Sequence, residues 1–396
     1  MANPGPSGLG PPRREQPISA SREEQCFVVD GIIHSPEYRP TPSRVISLSV
    51  PNLIRQQLRK FSTRQVAMAG DKYLKGEDVF EMMEKFASRF QISAIQPGDA
   101  VFTMLHNSLV NVAAALSLSF VGGVLFLADH ELCNEELLRR FIESDASYIL
   151  TDRVNELKLK NFLCSIPKEY EKETGYILLV VGKENEALDI SKIKKKDALY
   201  VRHVPGSEDV MAVLYTSGST RSPRGVPITH RAYVSSFESY RALEHVSAED
   251  VFLAWTPLAN NFGFSLNVFP MLLGVFTVFK EPTMTHIAFT AAMSRNDVTT
   301  TFNFPTRIRN LVRSAGAPFS FPCFKKLAIG GESTADITEI LQAFNSPMVS
   351  LRYYGLAECF GLVIVSRVGR EGYSDDGVPA PGCRVKVSVV SVNDRK

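Results

Sequence analysis

The stretch VMAVLYTSGSTRSPRGVPITH, Val210 to His230, runs from an apolar strand into a loop of small hydroxylated residues and glycine, then into a helix. The helix is predicted to start near Thr229, with Tyr233, Phe237 and Tyr240 on one face. Such a loop can wrap a phosphate. Glycine lets the backbone approach closely, the amides converge on the anion, and hydroxyls donate further hydrogen bonds. Arg224 adds a neutralising cation. The pattern G-x-x-x-x-G-K-[ST] is absent, so this is not a Walker loop. On composition alone, an ordinary strand–turn–helix connection rich in turn formers stands equally well.

Outward from this loop, strands alternate with helices. Leu53, Leu58 and Phe61 mark an amphipathic helix within Val45–Phe61, and Val79, Met82, Met83, Phe86 and Phe90 repeat helical spacing. Pro97-Gly98-Asp99 turns into a strand over Ala100–Leu105. A helix over Leu109–Leu118, a strand over Val124–Leu127, a helix over Glu135–Glu143 and a strand over Tyr148–Thr151 follow. Tyr176–Val181 is another short apolar run, Lys183–Arg202 reads as a solvated connection, and a second alternating series begins at Val210. This order predicts an α/β fold with mainly parallel sheets flanked by helices.

Composition narrows the function classes. At 396 residues the chain exceeds one small domain, and 44% hydrophobic with 22% charged residues is a globular mixture. A net charge of +2 does not suggest nucleic-acid binding, so any anionic ligand needs a local site. Leu109–Ala128 has marginal length for a membrane span, but Gly122-Gly123 divides it into a buried helix and a buried strand. The six scattered cysteines form no CxxC pair or zinc spacing and read as free thiols. Met1–Gln16, rich in Pro, Gly and Arg, has no apolar signal core and reads as a disordered tail.

The order of residues in Tyr215–Val226, followed by Thr229-His230, resembles the signature loop of adenylate-forming enzymes, the acyl-CoA synthetases, 4-coumarate ligases and luciferases. Further matches follow in sequence: Gln96-Pro97-Gly98-Asp99, then the strand end Leu327–Ser333 with Gly330, Gly331 and Glu332. Tyr353–Glu358 resembles the Y-G-x-T-E motif, and Gly377–Val387 a G-x-P-x-P-G stretch near the end of the family's large domain. The likeness covers roughly Val45–Val392. It implies a large domain over residues 25–396 after a tail over 1–24, with subdomains about 45–205 and 206–372 and a smaller β region about 373–396.

The resemblance also implies roles. Thr216, Ser217, Gly218, Ser219 and Thr220 cradle the β- and γ-phosphates of ATP, and Arg224 stands where the family has lysine. Gly331 and Glu332 join the nucleotide wall. Tyr354 stacks on adenine, Gly355 lets the base approach, and Glu358 holds Mg2+. Asn260 takes the place of a histidine near the acyl carboxylate, beside Gly330; asparagine carries no titratable proton. Arg221 stands at a usual glycine and Ala357 at a usual threonine, while Phe262, Phe264, Phe302 and Phe304 are candidates to line an acyl pocket or are plain core.

The implied chemistry activates a carboxylic acid, fatty or aryl, with ATP to acyl-AMP and then transfers it to CoA. Family members continue into a smaller domain of roughly 100 residues that bears a catalytic lysine. No counterpart is expected within this sequence, so adenylation is expected to be impaired. A non-catalytic nucleotide- or acyl-ligand-binding protein is the alternative. The expected location is intracellular, cytoplasmic or peroxisomal, although an S-K-L ending is absent.

Overall fold

Six strands form a sheet whose interior is almost wholly apolar. In spatial order they are Gly225–Thr229, Val210–Tyr215, Val124–Leu127, Ala100–Met104, Tyr148–Asp152 and Ile177–Val181. All neighbours run parallel except the first pair. Near-continuous apolar runs are what a parallel sheet covered on both faces requires. The computed structural model describes residues 27–29, 32–35, 48–173, 175–182, 188, 190, 203–216, 222–333, 337–345, 347–366 and 377–386. The expected tail, most of Lys183–Arg202 and the loop residues Ser217–Arg221 lie outside these.

A nine-stranded sheet follows the order Val378–Pro379, Gly361–Val365, Val349–Leu356, Lys326–Gly330, Thr300–Asn303, Val251–Ala254, Phe276–Phe279, Gln65–Ala69 and Lys72–Lys75. Its central strands are parallel and its ends antiparallel. A three-stranded antiparallel sheet joins Phe27–Val29, Ile32–His34 and Arg384–Lys386. The α/β architecture with two mainly parallel sheets is therefore the observed one.

Sheet membership does not follow chain order at residue 206. Gln65–Lys75 belongs to the second sheet, whereas Val210–Tyr215 and Gly225–Thr229 close the first. Three strands escape the sequence pattern for identifiable reasons. Pro227 masks Gly225–Thr229, and proline is tolerated there because the strand is an edge. Gln65–Ala69 turns back through Gly70 at φ 60° into Lys72–Lys75, a hairpin signalled only by Gly-Asp.

The largest apolar cluster joins the sheets, with Val101 and Leu125 from one and Phe252, Ala254 and Phe302 from the other. Two further clusters each serve one sheet. Asn107 and Asn267 both donate through Nδ2 to the Thr256 carbonyl, at 2.6 and 2.7 Å. Asn107 thereby ties the strand ends of the two sheets together. Leu109–Ser117 is a buried helix capped by Ser108, and Val124–Leu127 a strand. No helix among the described residues is long and apolar enough to cross a membrane.

Candidate active site

The signature stretch folds as a hairpin. Tyr215 pairs with Gly225, the Thr216 amide donates to the Arg224 carbonyl at 3.0 Å, and the Arg224 amide donates to Thr216 Oγ1 at 3.1 Å. The mouth of the loop is thus laced shut on both sides, with the Arg224 side chain exposed. Ser217, Gly218, Ser219, Thr220 and Arg221 are outside the described residues.

Beyond the hairpin, Thr229 caps the helix His230–Ala242 by accepting from the Ala232 amide. His230 Nδ1 accepts the Val50 amide at 3.1 Å, which starts the helix Val50–Lys60 where Ser49 makes no cap bond. Burial lowers the His230 pKa to about 4, so the ring is neutral and free to accept.

The facing wall comes from the second sheet. Strand alternation buries Tyr353 and turns Tyr354 outward, 51% exposed, as a ring free to stack. Glu358 lies exposed on the short turn Ala357–Cys359, between strands Val349–Leu356 and Gly361–Val365. Beneath this turn, Phe360 stacks on Tyr233 with centroids 5.3 Å apart, and a Cβ on Gly361 would overlap Ser236 Oγ. The helix that leaves the hairpin therefore packs directly under the Glu358 turn.

The wall glycines have packing duties. A Cβ on Gly355 would overlap the Gly361 carbonyl, and one on Gly330 the Tyr353 carbonyl. Gly331 adopts φ 76°, and its Cβ would lie 2.7 Å from the Phe304 ring and 3.0 Å from Phe262. Glu332 is equally occupied: its Oε2 accepts the Thr306 amide at 2.9 Å, at the start of helix Pro305–Ala315. Asn260 Oδ1 accepts the Phe262 amide at 2.9 Å and caps the helix Asn261–Leu266.

Phe262, Phe302 and Phe304 pack on one another and are buried, while Phe264 lies apart, against Tyr233 and Phe360. Asn261 is a residue that sequence reasoning passed over. Its Nδ2 donates to the Leu356 carbonyl at 3.2 Å, and its buried Oδ1 has no hydrogen-bond partner among the described residues. The bond places Asn261 against the Tyr354–Glu358 segment, and its sequence signal was the Asn260-Asn261 doublet.

A second polar cluster lies between the sheets. A small cleft is lined by His106, Asp129 and His130 on one side and Pro257–Ala259 on the other. Its imidazoles stack at 4.6 Å, and the hydrogen bond to Asp152 raises the His106 pKa.

The sequence pattern of the AMP-binding enzyme family matches residues 54–392. The chain belongs to the AMP-binding enzyme family. Among curated relatives of this family member, a 4-coumarate–CoA ligase of Vanilla planifolia is 27% identical over 216 residues, 51% of this chain and 38% of that protein. A 4-coumarate–CoA ligase-like protein of Arabidopsis thaliana is 23% identical over 321 residues, 76% of this chain and 54% of that protein. The match therefore spans 38% of the first relative's length and 54% of the second's.

Solved structures show the same fold. A long-chain-fatty-acid–CoA ligase, FadD1, of Archaeoglobus fulgidus has a TM-score of 0.72 at 19% identity, covering 85% of this chain and 69% of that one. The N-terminal domain of FACL13 of Mycobacterium tuberculosis has a TM-score of 0.68 at 17% identity, covering 80% and 78%.

Proposed function

We propose that this AMP-binding family member is the nucleotide-binding lobe of an adenylate-forming acid ligase. Thr216 and Arg224 hold the terminal phosphates of ATP together with Ser217, Gly218, Ser219 and Thr220. Tyr354 takes the adenine, with Gly331, Glu332 and Gly355 forming the adjoining wall. The acid lies toward Asn260 and Gly330. The observation that carries this reading is the hairpin mouth, where Thr216 and Arg224 are bonded to each other at the signature position.

In the proposed reaction a carboxylate oxygen of the acid bonds to the α-phosphorus. The bond from that phosphorus to the bridging oxygen breaks, giving acyl-AMP and pyrophosphate. A CoA thiolate then displaces AMP in the second half-reaction. Most of the work in the first step is positioning and offsetting negative charge. Glu358 fits a magnesium site, since its carboxylate is exposed and forms no ion pair among the described residues. Bound magnesium would offset phosphate charge. The cation at Arg224 supports the same end from the protein itself.

Two substitutions favour a second reading, a non-catalytic nucleotide-binding protein. Asn260 is committed to a helix cap, and Ala357 supplies no hydroxyl. Pyrophosphate exchange with a panel of fatty and aryl acids, run beside Mg-ATP stabilisation, separates the readings. A working site raises stability by about 2.7 kcal/mol at a hundred times Kd. Stabilisation with exchange supports the ligase, and stabilisation without it supports the binding protein. Neither effect at saturating ATP removes both.

A further inference from the structure

The helix Asn134–Ser144 presents Glu136, Arg139, Arg140 and Glu143 at i, i+3, i+4 and i+7, a single stripe. Arg140 places its guanidinium 4.2 Å from the Tyr215 ring centroid, and Arg139 lies 5.7 Å from the same ring. Glu136 Oε1 accepts from Arg140 Nε at 2.6 Å and from Arg139 Nη2 at 2.8 Å, and Arg139 Nη1 reaches Glu143 at 3.1 Å.

The other end of the stripe touches the other strand of the hairpin: a Cβ on Gly225 would lie 3.0 Å from Glu143 Oε1. Tyr215 and Gly225 are direct partners, so both sides of the loop stem rest on one helix face. Tyr215 is 6% exposed, its hydroxyl forms no hydrogen bond of normal geometry among the described residues, and its charged neighbours are the Glu143 carboxylate and the stacked Arg140 guanidinium.

The Arg140–Glu136 pair is not one of the loose surface pairs that contribute little, unlike the more exposed Arg139–Glu143 pair. The Arg140 side chain is only 9% exposed, and a guanidinium so enclosed is held by its stacking and its carboxylate together. Hydrogen bonds from Arg139, reinforced by Arg140, hold the Glu136 carboxyl down at about 2, so it stays charged across the physiological range. Two arginines and two glutamates cancel, so the stripe acts through position, not through net attraction for an anion.

The geometry points to this stripe as the positioning platform of the phosphate loop: Arg140 fixes Tyr215, Glu143 sets the gap at Gly225, and Thr216 and Arg224 are thereby presented at a set separation to the β- and γ-phosphates. The assignment to phosphates rests on the ATP reading above; the platform itself rests only on the contacts. Arg140 and Glu143 are positioning residues, since neither belongs to the loop.

The test compares wild type, Arg140→Met and a control, Arg241→Gln, which removes an exposed arginine paired with Glu238 on another helix. Hydrogen exchange is read at the Thr216 and Arg224 amides, and affinities are read for Mg-ATP and for AMP, which lacks the outer phosphates. The expected result for Arg140→Met is about tenfold faster exchange at both amides and about tenfold weaker Mg-ATP binding, with AMP affinity held. The control should change none of these.

Unchanged exchange at the two amides overturns the platform, as does an equal loss of ATP and AMP affinity, which marks general damage. A wild type that binds neither nucleotide removes the ATP reading, while exchange still decides the platform. Should Arg140→Met fail to fold, Arg140→Lys keeps the charge but loses the planar stack. It must then show the same changes in smaller degree, and an Arg140→Lys protein identical to wild type overturns the proposal.

Discussion

The hairpin at Tyr215 and the wall from Gly330 to Glu358 both match signature motifs, yet the fold uses their residues differently. In the hairpin, the Thr216 amide and hydroxyl bond the Arg224 backbone to close the mouth, and the Arg224 side chain is left exposed. In the wall, Gly330, Gly331, Gly355, Glu332 and Asn260 each answer a local need: close strand packing, a left-handed backbone, or a helix start. Only Tyr354 and Glu358 stand clear there. A motif match therefore carries most functional weight at Arg224, Tyr354 and Glu358, whose side chains the fold does not already explain.

Acid should have the largest effect, and it should act on the two regions alike. His230 anchors the hairpin side by accepting from Val50, and His245 anchors the wall side through the Tyr353 hydroxyl at 2.7 Å. Burial lowers both pKa values to about 4. Between that value and about 6.5, the unfolded chain binds protons that the folded chain refuses, so stability is complete above about 6.5 and is lost as pH falls toward 4. Each ring can contribute on the order of 3 kcal/mol. His106, with its raised pKa, works in the opposite sense: its contribution is present below about 6.5 and fades as pH rises. Urea midpoints from pH 7.5 to 4.5 should fall steeply, and His230→Gln with His245→Gln should flatten most of that slope. An unaltered slope in the double variant would contradict this account.

The next largest effect tests whether the wall glycines serve packing. Gly355→Ala forces a methyl group onto the Gly361 carbonyl and towards Phe262 Cζ. Backbone on one side and a buried ring on the other leave little room to yield, so the cost should be about 3 kcal/mol. Gly225→Ala meets side chains alone, the tip of Glu143 and Val213 Cγ1 at 3.0 Å each and Tyr215 Cε1 at 3.5 Å, and should cost about 1 kcal/mol. Urea unfolding of the two variants measures the contrast directly. Equal losses would mean that the two regions are not so different.

How much of this was legible follows the same division. The alternation of apolar runs announced the parallel sheets, because buried strands and amphipathic helices leave strong periods in sequence. Val124–Leu127 appears where its pattern placed it, and the helix predicted over Glu135–Glu143 extends one residue further at each end. The strand Gly225–Thr229 was hidden by Pro227, and the return of Gln65–Lys75 to the second sheet left no local mark, since sheet membership is set by distant partners. At the site, residue order marked Thr216, Arg224, Tyr354 and Glu358. It did not mark Asn261, which bonds the Leu356 carbonyl, or Arg140, whose partner is 75 residues away in the chain.

Asn260 sharpens the comparison at smaller scale. Replacing it with alanine removes a cap and should cost about 1 kcal/mol, whereas serine restores the cap at little cost. A serine variant as stable as wild type that nonetheless loses pyrophosphate exchange would give this asparagine a duty toward the acid beyond capping. Thermal unfolding and exchange on the same preparations supply both readings.

The smallest effect on stability is the most informative about function. Glu358 is exposed and makes no ion pair among the described residues, so Glu358→Gln should move stability by less than about 0.5 kcal/mol. The amide nearly preserves the shape of the side chain but cancels the charge that a hard cation requires. Under the proposed function, this variant therefore keeps its unliganded unfolding midpoint and loses the shift produced by Mg-ATP. The shift produced by AMP without metal should persist, since Tyr354 is untouched. Retention of the full Mg-ATP shift would remove Glu358 from the metal site, leaving the wall with a stacking ring alone and the hairpin as the source of phosphate binding.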